Sequence, residues 1–244
     1  MRIQRVNAWS SPRNISTAFM YSFAQRPDTR VVDEPLYAHY LTHQRSAADH
    51  PGREAILASQ EPEGEKVIRE VILGPYDRPL VLFKQMTHHL IDLPQGFLGQ
   101  TDNILLIRDP RAIIASYEKV IAHPDMEDIG VRQQFELFEQ LKALGTLKAV
   151  VDARELLLNP EGVLRQLCAS LDIPFYPAML RWEAGPRKED GVWAAHWYAG
   201  VHRSTGFATY TPRQIHLTGR LEDLAQACQP YYDQLYQVAL KANA

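Results

Sequence analysis

The chain has 244 residues, 45% of them hydrophobic and 23% charged, with a formal net charge of -3. That length supports a full hydrophobic core in a single domain, and the charge excludes a global attraction to nucleic acid or to an anionic lipid surface. The two cysteines, Cys168 and Cys228, sit in apolar contexts without metal-ligand spacing, which fits a reducing compartment better than a disulfide framework.

No run approaches the roughly 18 to 20 apolar residues of a bilayer span, and the amino terminus opens a polar-edged strand instead of a signal peptide. A cytoplasmic protein without membrane or nucleic-acid partners is the expectation.

Ile3 to Trp9 reads as the first strand and runs into Ser10-Ser11-Pro12-Arg13-Asn14-Ile15-Ser16-Thr17. Ala18, Phe19, Phe23 and Ala24 then suit a helix beginning at Ser16. Strand, polar loop and helix in this order can hold an anion. Arg13, the amides of Asn14 to Thr17 and the hydroxyls of Ser16 and Thr17 can surround phosphate oxygens at the helix start. An ordinary serine- and threonine-rich helix cap is the plainer alternative. The glycines and the Gly-Lys-Ser/Thr ending of a Walker A loop are absent, which argues against ordinary ATP hydrolysis.

A second strand, Thr29 to Asp33, ends at Glu34-Pro35, where proline denies a donor to a continuing ladder. Leu36 to Ser59 is polar, histidine-bearing and helical in part; a turn around Glu61 to Gly64 leads into a helix from Glu65 to Leu73. Leu80 to Lys84 and Asn103 to Ile107 are the third and fourth strands, with a helix from Pro110 through Ala122. Thr146 to Val151 is the fifth, followed by a helical region from Ala153 to Leu171. Strands separated by helices imply an α/β three-layer sandwich with a central parallel sheet, its ligand loops at the carboxyl ends of the strands.

Gly185 to Phe207 has no sustained period and is rich in Gly, Trp, His and basic residues, so a lid or ligand wall is expected around residues 185–210. Leu217 to Leu240 carries apolar residues at helical spacing and reads as a packing helix.

The second chemical signal is Arg108-Asp109-Pro110-Arg111-Ala112-Ile113-Ile114-Ala115-Ser116, at the fourth strand's end. Together with Pro12-Arg13-Asn14-Ile15-Ser16-Thr17 it resembles the two phosphate-binding motifs of the sulfotransferases that use 3′-phosphoadenosine 5′-phosphosulfate (PAPS), with a bacterial-like cast. The resemblance covers about residues 3 to 175. It implies a sheet related to P-loop nucleoside-triphosphate-hydrolase-like folds, PAPS as sulfuryl donor, a small-molecule hydroxyl acceptor and no required metal. Arg13, Ser16 and Thr17 match positions that contact the 5′-phosphosulfate, with Asn14 and Ile15 in the same loop; Arg108 and Ser116 match positions that hold the 3′-phosphate. The family loop usually has a small residue and glycine after the basic residue, where this chain has Asn14 and Ile15, which bears on close backbone approach at Ile15.

Sulfuryl transfer needs an in-line acceptor, a base for its proton and donors around the developing charge. Glu34 is the first candidate base, because Asp33-Glu34-Pro35 resembles the acidic strand-end motif of bacterial and carbohydrate-directed members; a purely structural carboxylate is the alternative. His88, beside His89, competes through a loose similarity of Lys84 to His89 to the Lys-Thr-His segment of cytosolic members. Lys84 itself reads more simply as a strand-end lysine, and Arg154 as part of a structural helix start. Arg187-Lys188-Glu189-Asp190-Gly191-Val192-Trp193 loosely resembles a late basic loop over the 3′-phosphoadenosine end, with a solvated turn as the alternative. Trp193, His196, Trp197, Tyr198 and His202 suit an aromatic acceptor wall. A magnesium-dependent small-molecule kinase and a noncatalytic nucleotide-binding regulatory protein are the competing functions.

Overall fold

A computed structural model describes residues 3–44, 50–118 and 123–243. Five strands, β1 (Gln4–Ser10), β2 (Thr29–Asp33), β3 (Leu80–Met86), β4 (Asp102–Ile107) and β5 (Leu147–Asp152), form one sheet in the order β2-β3-β1-β4-β5. Every neighbouring pair is parallel. The chain therefore steps from β1 to one side of the sheet and returns across it to reach β4. This opens a crevice at the carboxyl edge between the loops after β1 and β4, the place where parallel sheets bind ligands.

The helices follow in chain order: α1 (Ser16–Ala24), α2 (Tyr37–His43), α3 (Arg53–Ser59), α4 (Gly64–Val67), α5 (Pro110–Tyr117), α6 (Met126–Ile129), α7 (Val131–Ala143), α8 (Ala153–Leu158), α9 (Pro160–Ser170), α10 (Ala194–Trp197) and α11 (Arg220–Gln237). Alternation along the strands feeds two cores. Val6, Ala8, Leu82, Ile104 and Leu106 face Phe19 and Phe23 of α1 and Val163 and Leu167 of α9. Trp9, Val81, Phe83, Leu105 and Ile107 face Leu137, Phe138 and Leu141 of α7 and Leu235 of α11. Both faces of the sheet are thus dry. At the edge, Leu240 bridges Val151 in parallel, its N–H donating to the Val150 carbonyl, so the segment after α11 covers β5.

The five expected strands are present, with ends shifted by one or two residues in four of them. The helix starting at Pro110 is described to Tyr117; its expected continuation through residues 119–122 lies outside the described residues. The helix expected from Glu65 begins at Gly64 and widens into a π-helical turn over Ile68–Ile72. The sequence reading leaves residues 123–145 unassigned, yet α7 lies there. Its buried Val131, Gln134, Leu137, Phe138 and Leu141 recur every three or four residues, which is the signal that identifies it. Among the described residues, no helix is long and apolar enough to cross a membrane.

The P-loop nucleoside-triphosphate-hydrolase-like label requires correction. Residues 11–15 contain no glycine, and the turn is made instead by Arg13 in left-handed backbone at φ 57°. Asn14 fixes the loop by donating from Nδ2 to the Leu106 carbonyl at 2.8 Å while its Oδ1 accepts from the Ile15 N–H. A glycine loop lays bare backbone around phosphate; this one projects side chains into the crevice and ties itself to β4.

Candidate active site

The crevice is lined by the loop after β1, by Glu34 and Lys84, by Arg108 and Ser116, and by the late segment through Trp193, Trp197 and Tyr198. All the residues singled out from sequence as catalytic or donor-binding, Arg13, Asn14, Ile15, Ser16, Thr17, Glu34, His88, Arg108 and Ser116, border this one cavity. Arg13 and Glu34 are two of the five non-glycine residues held at positive φ among those described. Such backbone costs on the order of 1–3 kcal/mol per residue and survives where surrounding contacts over-determine it.

At one end the groups are cationic. Arg13 Nε donates to Ser116 Oγ at 3.0 Å, and Arg108 donates through one guanidinium nitrogen to the Arg13 carbonyl. Burial first, and then Arg13, push the Arg108 guanidinium below its usual range; Arg213 adds to this and Asp109 opposes it. Arg108 nevertheless stays charged. Two guanidinium groups held this close need an anion between or beside them. The start of α1 adds donors, because its N-cap Ile15 provides no side-chain cap and the first-turn amides have no intrahelical partner. Ser11 Oγ is buried on the same wall with no hydrogen-bond partner among the described residues. These groups fit the phosphate and sulfate oxygens of a nucleotide-type donor.

At the other end a carboxylate meets aromatic rings. Glu34 is buried, and its Oε1 accepts from Lys84 Nζ. Burial raises its pKa, Lys84 opposes this and Asp33 reinforces it. Burial would lower the Lys84 pKa, but Asp33 and Glu34 overcome that and hold the ammonium charged. Lys84 gives its three protons to Asp33 Oδ1 at 2.9 Å, to Glu34 and to Tyr198 Oη at 2.7 Å. None remains for a ligand, which agrees with the simpler reading of Lys84. His88 sits in a ring cluster with Tyr40 and His89, and burial, with His50 adding, pushes its pKa down to about 3. His89 is stacked between Tyr37 and Tyr40, with ring centroids 4.9 and 4.8 Å away.

The late segment divides. Trp193, Trp197 and Tyr198 line the cavity, whereas His202 turns to Asp190 Oδ2 at 3.0 Å and His196 is exposed outside the lining. Arg187 lies over the Tyr21 ring, 4.6 Å from its centroid, and Asp190 accepts the Tyr21 hydroxyl at 2.7 Å. The charged turn therefore locks the segment onto α1, and of residues 187–193 only Trp193 reaches the cavity. Gly206 and Phe207 also line the cavity, and Arg213 adds charge beside Arg108. The sequence reading did not single them out, since no period marks the stretch that carries them. Arg154 stays structural: its N–H, with that of Glu155, caps α8 through Asp152 Oδ1.

Comparison with known proteins adds the family. The profile of the sulfotransferase domain matches residues 4–242. Branched-chain-amino-acid aminotransferase-like protein 2 of Arabidopsis thaliana is 41% identical over 232 residues, which are 93% of this chain and 40% of that protein. Branched-chain-amino-acid aminotransferase-like protein 1 of the same plant is 42% identical over 231 residues, 93% of this chain and 41% of that protein. The chain thus spans about two-fifths of the length of these curated relatives. Among solved structures, the sulfotransferase domain from the curacin biosynthetic pathway superposes with TM-score 0.57 at 16% identity, covering 96% of this chain and 99% of that one. A sulfotransferase from Alicyclobacillus acidocaldarius gives 0.55 at 11% identity, over 97% and 96% of the two chains. The three-layer parallel sheet is accordingly of the sulfotransferase type, which replaces the P-loop hydrolase label. The chain belongs to the sulfotransferase-domain family.

Proposed function

We propose that this chain carries out the family reaction on an uncharged, flat acceptor, with Arg13 and Arg108 on the donor side and Glu34 as the base. The observation that carries this reading is the polarity of one cavity, with guanidinium groups that no carboxylate pairs among the described residues at one end and a carboxylate with an open oxygen at the other.

PAPS supplies a sulfuryl group joined through a bridging oxygen to the 5′-phosphate. Arg13, Ser16, Thr17 and the α1 amides would hold that phosphosulfate, with Asn14 and Ile15 shaping the loop; Arg108 and Ser116 would hold the 3′-phosphate. Arg13 also neutralises charge gathering on the bridging oxygen as the sulfur–oxygen bond breaks. Glu34 takes the acceptor proton as the new oxygen–sulfur bond forms. His88 borders the same space, but a group pushed down to about 3 is a weaker base than a carboxylate pushed upward, so its role is to orient the hydroxyl.

The charged residues lining the cavity support an uncharged acceptor. Arg13 and Arg108 face the donor, and Lys84 is consumed by its partners, so the acceptor end offers rings: Tyr37, Tyr117, Trp193 and Trp197. Residues 185–210 would act as the wall over that acceptor. The aminotransferase likeness in the relatives' names describes proteins more than twice the matched length, and no transamination is assigned to this chain.

The test uses sulfur-35-labelled PAPS with a panel of neutral phenols, naphthols and alicyclic alcohols beside carboxylated counterparts. Label transferred to neutral members and lost in Glu34→Gln by about 100-fold or more supports the reading. Transfer only to carboxylated acceptors overturns the acceptor class, and full turnover by Glu34→Gln removes the base.

A further inference from the structure

Two adjacent carboxylates end β2, and the structure treats them differently. Asp33 is saturated: it accepts from Lys84 Nζ at 2.9 Å, from the Tyr198 hydroxyl at 3.0 and 2.8 Å to its two oxygens, and from the Gly191 N–H at 3.1 Å. The Tyr198 hydroxyl is equally committed. Its single proton goes to Asp33, and its lone pairs accept from Lys84 at 2.7 Å and from Trp193 Nε1 at 3.0 Å. Among the described residues the Glu34 carboxylate receives only Lys84, on Oε1; its Oε2 has His89 Nε2 at 4.0 Å, beyond hydrogen-bond reach.

We propose that Asp33 is a positioning residue for sulfuryl transfer: by taking a share of Lys84 and anchoring Tyr198, it leaves Glu34 one open oxygen facing the acceptor and fixes Trp193 in the wall beside it. The proposal rests on the reading of Glu34 as the base, and it assigns the neighbouring carboxylate a separate task.

The argument is one of competition for a single buried ammonium. Lys84 and Asp33 have side chains only 3% and 1% exposed, so water does not replace a lost partner. With Asp33 neutral, the whole charge of Lys84 falls on Glu34, which becomes a weaker base. The same change loosens Tyr198 and the Gly191 N–H, and with them the segment that carries Trp193. The groups that bear on Glu34 are Asp33 from its own strand end, Lys84 from β3, His89 from the turn after β3, Tyr37 from α2 and Tyr198 from the late segment. Of these, Asp33 is the one that raises Glu34 by charge while holding both Lys84 and Tyr198.

Two readings of the intact protein test it. Glutamate side chains labelled with carbon-13 at the carboxyl, with Glu34 assigned through Glu34→Gln, report where Glu34 titrates. In Asp33→Asn that titration moves to lower pH, and the Trp193 indole N–H resonance moves from its wild-type position. With 2-naphthol as acceptor, the acid limb of the kcat profile moves to lower pH alongside, and the plateau falls by about tenfold. A Glu34 titration and a Trp193 resonance both at wild-type positions overturn the proposal. If Asp33→Asn does not fold, Tyr198→Phe removes only the hydroxyl and is expected to move both signals in the same directions, by less. Undiminished turnover in Glu34→Gln would remove the base while leaving the carboxyl titration to judge Asp33, so the two readings fail on different measurements.

Discussion

Arg13 Nε and Ser116 Oγ meet at 3.0 Å across 103 residues of sequence. This contact joins the loop after β1 to α5, and Arg108 closes the same junction by donating to the Arg13 carbonyl. The two motifs are therefore one cradle. Ser116, two turns into α5, reaches the site because Arg13 projects from left-handed backbone toward it.

Arg108→Ala should weaken 3′-phosphoadenosine 5′-phosphate much more than AMP. A charge-assisted contact is worth about 1.5–3 kcal/mol, or roughly 10- to 100-fold in affinity, and only the 3′-phosphorylated ligand makes it. Calorimetric titration of both ligands checks this; equal losses would take Arg108 away from the 3′-phosphate.

The sheet and the cationic end of the cavity were legible in the sequence because each rests on local signals. Buried parallel strands leave short apolar runs such as Leu80 to Lys84, and Arg13 and Arg108 follow strands directly. The acceptor end was legible only in part. Glu34 and the tryptophans stand out by residue type, but the sharing of Lys84 among Asp33, Glu34 and Tyr198 joins three distant segments, and no spacing encodes it. The late basic turn misled for a related reason: Arg187 and Asp190 have the composition of a phosphate loop, yet their partners are Tyr21 and His202. The hydrolase-type label failed at residues 11–15, where a glycine-free loop of suggestive composition is held by Asn14 and Arg13 in a conformation that only tertiary contacts define.

Arg13→Ala should lower kcat by about 100-fold or more, since a donor aimed at a leaving oxygen typically supplies that much. Ser116→Ala removes the partner that orients Arg13 Nε along with its own reach to the 3′-phosphate and should cost about tenfold, with the loss in Arg13→Ala/Ser116→Ala smaller than the two single losses combined. Steady-state kinetics of the double-mutant cycle decide it. Additive losses would mean that Ser116 acts without Arg13.

Asn14→Ala should destabilise the fold by about 1–2 kcal/mol, because it removes the bond to the Leu106 carbonyl and the local cap on the Ile15 N–H. Donor affinity should fall with it, as the loop that presents Arg13 loosens. Urea unfolding beside calorimetric binding tests both; lost affinity at unchanged stability would make Asn14 a direct ligand contact instead of a staple.

The pH dependence separates the two candidate bases. Burial first, with Asp33 adding and Lys84 opposing, raises Glu34, so kcat should climb with pH along an acid limb lying above the ordinary carboxylate range. His88 titrates at about 3 and is neutral throughout, so His88→Gln should leave that limb in place and lower kcat by roughly tenfold or less. In stability the signs are opposite. The unfolded chain protonates His88 near 6.5 and the fold refuses that proton down to about 3, so stability drops as pH falls through this window, by about 2 kcal/mol at pH 5. Glu34, raised in the fold, binds its proton more readily there than in the unfolded chain and offsets part of the loss. Urea midpoints at pH 7 and 5 should therefore lie closer together in His88→Gln than in the wild type. An unchanged gap would mean that the fold does not hold His88 neutral, and an acid limb that disappears with His88 would transfer the proton-accepting role from Glu34 to the histidine.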